Sequence, residues 1–281
     1  SVVRAEDLDD AISKINQDFG LTSGIESLDE REIEQWKQSV GAGNLSVNRG
    51  ITGAIVNRQP FGGFLNSKSS YGSGIKAGGP NYVLQFMKIK NDIDLVNDNV
   101  ELSPEFQDSI YDEIRTTVKS YDWWIRNYFS KEYDESKILG QDNILRYLKG
   151  QKPFLLKIGE TSNLNHILKV LAAAKLCELE PIISVHPKFT QIELLKAGRT
   201  PGTVFIDSDS DLKAHLSQVC FVRLFGTDDE FDEIRMKSAE AGVGCIDHEP
   251  FDNGRLELVY YLQEQSISEN YHRWGNMGFR G

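Results

Sequence analysis

The chain has 281 residues, 40% hydrophobic and 26% charged, enough apolar material for a real core, which excludes disorder, collagen and coiled coil and predicts two domains. With 42 Asp and Glu against 31 Lys and Arg the net charge is −11, so nucleic acid and anionic membranes would meet a repelling surface and are disfavoured as main partners. Cys177, Cys220 and Cys245 are widely spaced, without CxxC, and read as reduced thiols in a cytoplasmic protein; no apolar run approaches the roughly 20 residues of a membrane span, which predicts no membrane anchor.

A helix is predicted from Glu6 to about Asp18, because Leu8, Ala11, Ile12 and Ile15 fall on one face, and a short strand from Leu21 to Ile25 follows. Asp29 caps a second helix to about Val40, with Ile33, Trp36, Lys37 and Val40 at helical spacing. Gly41 stops it, and Asn44 to Asn48 reads as a strand. The opening Ser1-Val2-Val3-Arg4 reads as the tail of a strand, an expectation that the chain begins inside a domain.

Residues 41–80 hold ten of the 24 glycines, no Asp or Glu, and four basic residues, Arg49, Arg58, Lys68 and Lys76. Two readings stay open. One is a glycine-rich surface loop. The other is a substrate or phosphate loop, where glycines let backbone N–H groups approach an anion and the missing carboxylates avoid repelling it.

Charge turns negative from Asp92 to Glu113. Ser103-Pro104-Glu105 has the hydroxyl, proline and carboxylate of a helix start. Phe106, Ile110, Ile114, Val118, Tyr121, Ile125 and Tyr128 follow at steps of four or three and predict one long amphipathic helix, widened by Trp123 and Trp124. Its aromatic stripe reads as core or interface packing. After Gly150, strands are predicted at Phe154–Ile158, Ile182–Val185, Val204–Ile206, Cys220–Phe225 and Val243–Ile246. Helices are predicted at Leu164–Leu176, near Phe189–Lys196, around Leu212 and Leu216, and at Glu230–Ala241. This is a parallel α/β unit, with a domain boundary near residue 150.

His166, His186, His215, His248 and His272 have no partner at ligand spacing, so no metal site is predicted. His186-Pro187 and Asp247-His248-Glu249 end predicted strands, which points to the carboxyl edge of a sheet. Gly159-Glu160-Thr161-Ser162 stands where a phosphate turn would but lacks the later glycines of GxGxxG, and capping is preferred. Cys177 lies in an apolar helix without an adjacent histidine and reads as packing. Asp207-Ser208-Asp209-Ser210-Asp211 lacks the glycine and bidentate glutamate of a calcium loop and reads as a solvated cap.

The informative pieces are Gly43-Asn44-Leu45-Ser46-Val47-Asn48-Arg49, Thr52-Gly53-Ala54, Gln59-Pro60-Phe61-Gly62-Gly63 and Lys76-Ala77-Gly78-Gly79-Pro80, in that order. They resemble the last part of the catalytic domain of aldehyde dehydrogenases, in particular the pyrroline-5-carboxylate (L-glutamate γ-semialdehyde) dehydrogenases. The resemblance extends over residues 1–40. The segments starting at Gly254 and Tyr271 are similar to the C-terminal end of longer members, often bifunctional proline utilization A proteins. Phe64 to Ile75 is longer here than in most members.

The resemblance implies an α/β fold in three parts. Residues 1–90 would be the C-terminal part of an aldehyde dehydrogenase catalytic domain, 91–150 an acidic linker with amphipathic helices, and 151–281 a Rossmann-like parallel α/β domain with a C-terminal tail. It implies a parent enzyme that oxidises L-glutamate γ-semialdehyde to glutamate with NAD, carries FAD if a proline dehydrogenase domain lies upstream, takes a small anionic amino-acid-derived aldehyde, and forms a homo-oligomer.

By the same resemblance Gly53 and Ala54 form the anchor turn whose N–H groups bind the substrate α-carboxylate, and Phe61 lines the aldehyde channel. The family's nucleophilic cysteine, general-base glutamate, oxyanion asparagine and NAD domain have no counterpart in this sequence and are expected to precede Ser1. No catalytic, cofactor-binding or metal residue is therefore assigned, and the chain alone is expected to be inactive. Rival readings are a non-catalytic oligomerisation or active-site lid module, and an independent nucleotide-binding protein on residues 150–250. The apolar tail Gly254–Asn276 is expected to pack back on the first part and help cover the substrate loop.

Overall fold

The computed structural model describes residues 2–17, 20–63, 75–89, 100–150, 152–191, 203–206, 215–226 and 228–272. In chain order its elements are α1 (Leu8–Ile15), β1 (Thr22–Ile25), α2 (Glu30–Ser39), β2 (Asn44–Val47), α3 (Arg115–Trp124), β3 (Gln141–Lys149), β4 (Phe154–Ile158), α4 (Leu164–Leu176), β5 (Pro181–Val185), β6 (Thr203–Ile206), β7 (Phe221–Phe225), α5 (Asp228–Ala241), β8 (Gly244–Ile246), α6 (Gly254–Glu257) and β9 (Leu262–Asn270).

The N-terminal helices begin where their caps dictate. Asp7 accepts from the Asp10 N–H and Asp29 from the Arg31 N–H, each satisfying a donor that the first turn leaves open. Both helices press apolar faces onto the first sheet, where Ile12, Ile33, Trp36 and Val40 meet Leu45, Val47 and Ile267 in one core.

That sheet has the order β1-β2-β9-β3. β1 and β2 are parallel, with Thr22 opposite Asn44. β9, from the far end of the chain, runs parallel to β2, with Asn44 opposite Ser266 and Val47 opposite Glu269. β3 closes the sheet antiparallel to β9, from Gln141 opposite Asn270 to Lys149 opposite Leu262.

β9 is central yet polar. Glu264, Gln265, Ser266, Ser268 and Glu269 are all buried, a composition that survives in a core only when each group finds a partner. Gln265 donates to the Ala42 carbonyl at 2.8 Å and accepts from Arg146 Nε at 2.8 Å. Ser266 donates to the Pro60 carbonyl at 2.8 Å, Ser268 to Asn143 Oδ1 at 2.9 Å, and Glu269 pairs with Lys37 at 3.2 Å.

Two parts of the expected organisation differ. The tail packs back on the first part as expected, as β9 beside β2, but the end of the expected linker joins the same sheet as β3, because its polar Gln141, Asp142 and Asn143 hide a strand from a reading of apolar alternation. The long helix expected from Phe106 to Tyr128 is divided into 3-10 turns at Pro104–Phe106 and Ser109–Ile114, then α3, then a wider π-type turn at Ile125–Phe129. Asp108 accepts from the Ile110 N–H at 3.1 Å, a local cap that restarts the chain there. The stripe still buries Phe106, Ile114, Val118 and Tyr121 in one core, with Ile110, Ile125 and Tyr128 packed against it.

The second sheet is wholly parallel, with the order β6-β5-β4-β7-β8. α4 covers one face with Ile167, Val170, Leu171 and Ala174. A fully buried ion pair ties this sheet to the segment before β9. Glu257 of α6 accepts from Arg223 of β7 at 3.2 Å, from the Tyr261 hydroxyl at 2.9 Å and from the Phe251 N–H at 2.9 Å, so its carboxylate is well supplied with donors. The expected helices near Phe189–Lys196 and around Leu212 fall largely outside the described residues, and the Asp207–Asp211 run and Phe64–Gly74 wholly so.

Candidate functional site

The motif pieces converge at the amino end of β2 through Asn44, its first residue. Its Nδ2 donates to the Pro60 carbonyl at 2.9 Å, and its Oδ1 accepts from the Gly62 N–H at 3.2 Å and from Lys76 Nζ at 2.7 Å. Lys76 Nζ also donates to the Gly62 carbonyl. Phe61 and Ala77 exchange backbone hydrogen bonds of 2.9 and 2.8 Å. Gly43 is required by this closeness, since a Cβ there would lie 2.0 Å from the Gly62 oxygen.

β9 completes the knot. Glu264 accepts from the Lys76 N–H at 2.6 Å and from Asn81 Nδ2, while Ser266 holds the Pro60 carbonyl. Burial pulls the Lys76 ammonium down to about 7, only partly opposed by the Glu264 charge, and pushes the Glu264 carboxyl up.

The loop between these pieces carries the expected site residues. Ile55 and Gln59 close a tight turn, with Gln59 N–H donating to the Ile55 carbonyl at 2.7 Å and Asn57 at φ 59° in the left-handed region. Gly53, at φ 106°, has a backbone that other residues rarely adopt. Gly53 and Phe61 line one shallow pocket together with Thr22, Asn44, Gln59, Ser266 and Ser268. Ala54 lies next along the loop, exposed, outside that lining. Among the described residues neither the Gly53 nor the Ala54 N–H donates within the protein, so both are open to a ligand.

The other chemistry-bearing residues are accounted for structurally. Burial pushes the Cys177 thiol well up and that of Cys220 up to about 12, which suits inert packing. His186 Nδ1 accepts from the Lys188 N–H at 3.2 Å, and Asp247 pairs with Arg235 at 3.0 Å. No group of three or more His, Cys, Asp or Glu among the described residues is placed to hold a metal, and no described helix is long and apolar enough to cross a membrane.

The crevice between β4 and β7, where the strand order reverses and doubly wound sheets bind dinucleotides, does not fit NAD. The Gly159 N–H and the Ser162 hydroxyl both donate to the Phe225 carbonyl, each at 2.6 Å, so these two donors of the turn are held by the protein instead of facing a phosphate.

The knot and its glycine turn lie in the part of the chain that a family model matches. Residues 1–91 match the aldehyde dehydrogenase family. Over 88 residues, 31% of this chain and 16% of theirs, the chain is 42% identical to 1-pyrroline-5-carboxylate dehydrogenase of Geobacillus sp. (strain WCH70) and 43% identical to that of Bacillus cytotoxicus. The structure of Proline Utilization A (PutA) from Corynebacterium freiburgense aligns with 96% of this chain and 25% of its own, at a TM-score of 0.64 and 29% identity. The chain thus spans a small part of the length of each relative, and the PutA likeness covers both sheets.

Sequence reasoning named Gly53, Ala54 and Phe61 through the resemblance but did not place Gln59, Lys76, Glu264, Ser266 and Ser268 in one cluster with them. The available signal was the run Gln263-Glu264-Gln265-Ser266, a polar stretch inside an otherwise apolar tail.

Proposed function

We propose that this chain is part of an NAD-dependent dehydrogenase that oxidises L-glutamate γ-semialdehyde (pyrroline-5-carboxylate) to glutamate in proline catabolism, and that it supplies the anchor for the substrate's α-carboxylate. The observation that carries the reading is the pair of open N–H groups at Gly53 and Ala54, on a glycine-only backbone, in a loop segment free of Asp and Glu. Two adjacent donors of this kind suit a carboxylate, and charge-assisted bonds are the strong ones. Phe61, 37% exposed, supplies an apolar wall on the same pocket for the aliphatic chain of the substrate.

NAD supplies the oxidising power in such a reaction, and since the crevice of the second sheet does not fit it, the dinucleotide belongs to another part of the parent enzyme. FAD would enter only with a proline dehydrogenase domain upstream. The three free thiols suit a cytoplasmic setting.

The test is an assay of the full-length enzyme that carries this segment, with L-glutamate γ-semialdehyde and NAD. NADH formation is expected from the whole enzyme and none from the 281-residue chain. A whole enzyme inert toward the semialdehyde overturns the reading.

A second reading, an oligomerisation or lid module, is favoured by one observation: Val83, Phe86 and Met87 beside the knot are exposed, Phe86 by 74%. A homo-oligomer whose assembly is lost on replacing these residues with polar ones would support it.

A further inference from the structure

Gln59, only 5% exposed, lies beneath the Gly53 turn and lines the same pocket. One orientation of its carboxamide matches Arg49 and Gly53 at once, leaving its oxygen 3.3 Å from Asn143 Oδ1. The oxygen faces the Arg49 guanidinium, with Nη2 at 3.2 Å and Nη1 closer, and the nitrogen stands 2.8 Å from the Gly53 carbonyl oxygen. Arginine has donors and no acceptor, so the carboxamide end that meets it must be oxygen, and the nitrogen is left to donate to Gly53. Arg49 is itself fixed from β9, donating to the Ser268 hydroxyl.

The consequence reaches the anchor. A trans peptide is planar, so a carbonyl and the N–H that follows it point in opposite directions. Drawing the Gly53 carbonyl inward onto Gln59 turns the Ala54 N–H outward, away from the protein. We propose that Gln59, its orientation dictated by Arg49, is the positioning residue that aims the Ala54 N–H at the substrate carboxylate, an inference that rests on the anchor role given above to Gly53 and Ala54. Arg58 adds to the effect. It lies near enough to Arg49 for the two charges to repel, and it too is held by a neutral oxygen, Gln141 Oε1 at 3.0 Å. The two guanidinium charges face no carboxylate among the described residues, which leaves the ground beneath the anchor positive.

The experiment uses the full-length enzyme and two substrates, the semialdehyde and an uncharged aldehyde of similar length. Gln59→Glu keeps the shape but replaces the donor with an oxygen. It should raise KM for the semialdehyde roughly tenfold to a hundredfold, the range expected for losing a bond to a charged group, and raise KM for the uncharged aldehyde far less. Arg49→Gln, which frees the carboxamide to turn over, should move the same ratio of KM values. Arg49→Lys, also a donor without an acceptor, should restore it in large part. A Gln59→Glu enzyme that affects both aldehydes equally overturns the inference. So does an Arg49→Lys enzyme as impaired as Arg49→Gln, a comparison that stands even if the Gln59 variant does not fold. An unaltered enzyme inert toward the semialdehyde would overturn the proposed function and this inference with it, whereas an active enzyme with unselective variants overturns this inference alone.

Discussion

The backbone N–H of Lys76 donates to the Glu264 carboxylate at 2.6 Å, joining the last glycine-rich motif to the strand at the opposite end of the chain. Glu264 is 2% exposed, and Asn81 donates to its other oxygen. One buried carboxylate therefore holds two points of the loop that returns to Phe61, and the tail strand is part of the candidate site rather than a cover added over it.

Glu264→Ala should leave the Lys76 N–H buried without an acceptor and strip Asn81 Nδ2 of one of its two, the Tyr147 hydroxyl at 3.1 Å remaining, at a cost of about 1–3 kcal/mol for each donor that water does not reach. Chemical denaturation should show the loss, and amide exchange should quicken at Phe61, Lys76 and Ala77 while β7 stays protected. Unchanged exchange at those three amides would show that β9 does not hold the loop.

Lys76 makes stability depend on pH in a defined sense. Burial lowers its pKa from 10.5 to about 7, so between those values the unfolded chain binds a proton that the folded chain does not. Stability contributed by this residue therefore rises with pH across the window, and below about pH 7 the folded state bears the full cost of a buried ammonium. Lys76→Met removes the titration. The stability of the natural chain relative to the variant should grow from pH 7 toward pH 10, by at most about 1.4 kcal/mol per pH unit. Urea denaturation of both chains at three pH values measures it, and a constant difference would show that the lysine titrates normally.

Gly53→Ala separates strain from blockage. A Cβ at Gly53 meets nothing within 4 Å, so the fold should tolerate it sterically, but φ 106° costs a side chain roughly 1 kcal/mol or more. In the full-length enzyme KM for the semialdehyde should rise several-fold, through a turned anchor and a methyl group on the ligand side. The denaturation midpoint of the chain should move only slightly. Unchanged KM would remove Gly53 from the site.

Much of the fold was legible because local rules decided it. Asp29 stands where a cap belongs, α4 starts and ends as its periodicity predicts, and the buried strands Phe154–Ile158 and Phe221–Phe225 are nearly all apolar. What stayed hidden depends on pairing across the chain. β3 buries Gln141 and Asn143 where an apolar alternation would be looked for, and β9 buries glutamates and serines whose partners lie in other segments. Gly53 could be singled out from its motif, while the place of Gln59 between Arg49 and the Gly53 carbonyl is set by neighbours that only three dimensions bring together.

The second sheet offers the sharpest test between an enzyme segment and an independent nucleotide-binding protein. Its strand order places a switch point between β4 and β7, the position at which such sheets take dinucleotides. There the turn after β4 folds back on the protein: Gly159 and Ser162 both hydrogen-bond the Phe225 carbonyl, and Glu160, paired with Lys188 at 3.7 Å, sets a carboxylate where a phosphate would approach. The 281-residue chain should accordingly show no thermal shift with NAD, ATP or AMP. Binding at tenfold ligand excess over Kd would stabilise by about 1.4 kcal/mol, worth roughly 3–6 °C for a protein of this size, well within reach of the measurement. Ser162→Gly should not create a site, because the Gly159 bond and the Glu160 charge remain. A reproducible shift with any of the three nucleotides, abolished by a bulky residue at Gly159, would make the second sheet a nucleotide site and give the chain a function of its own.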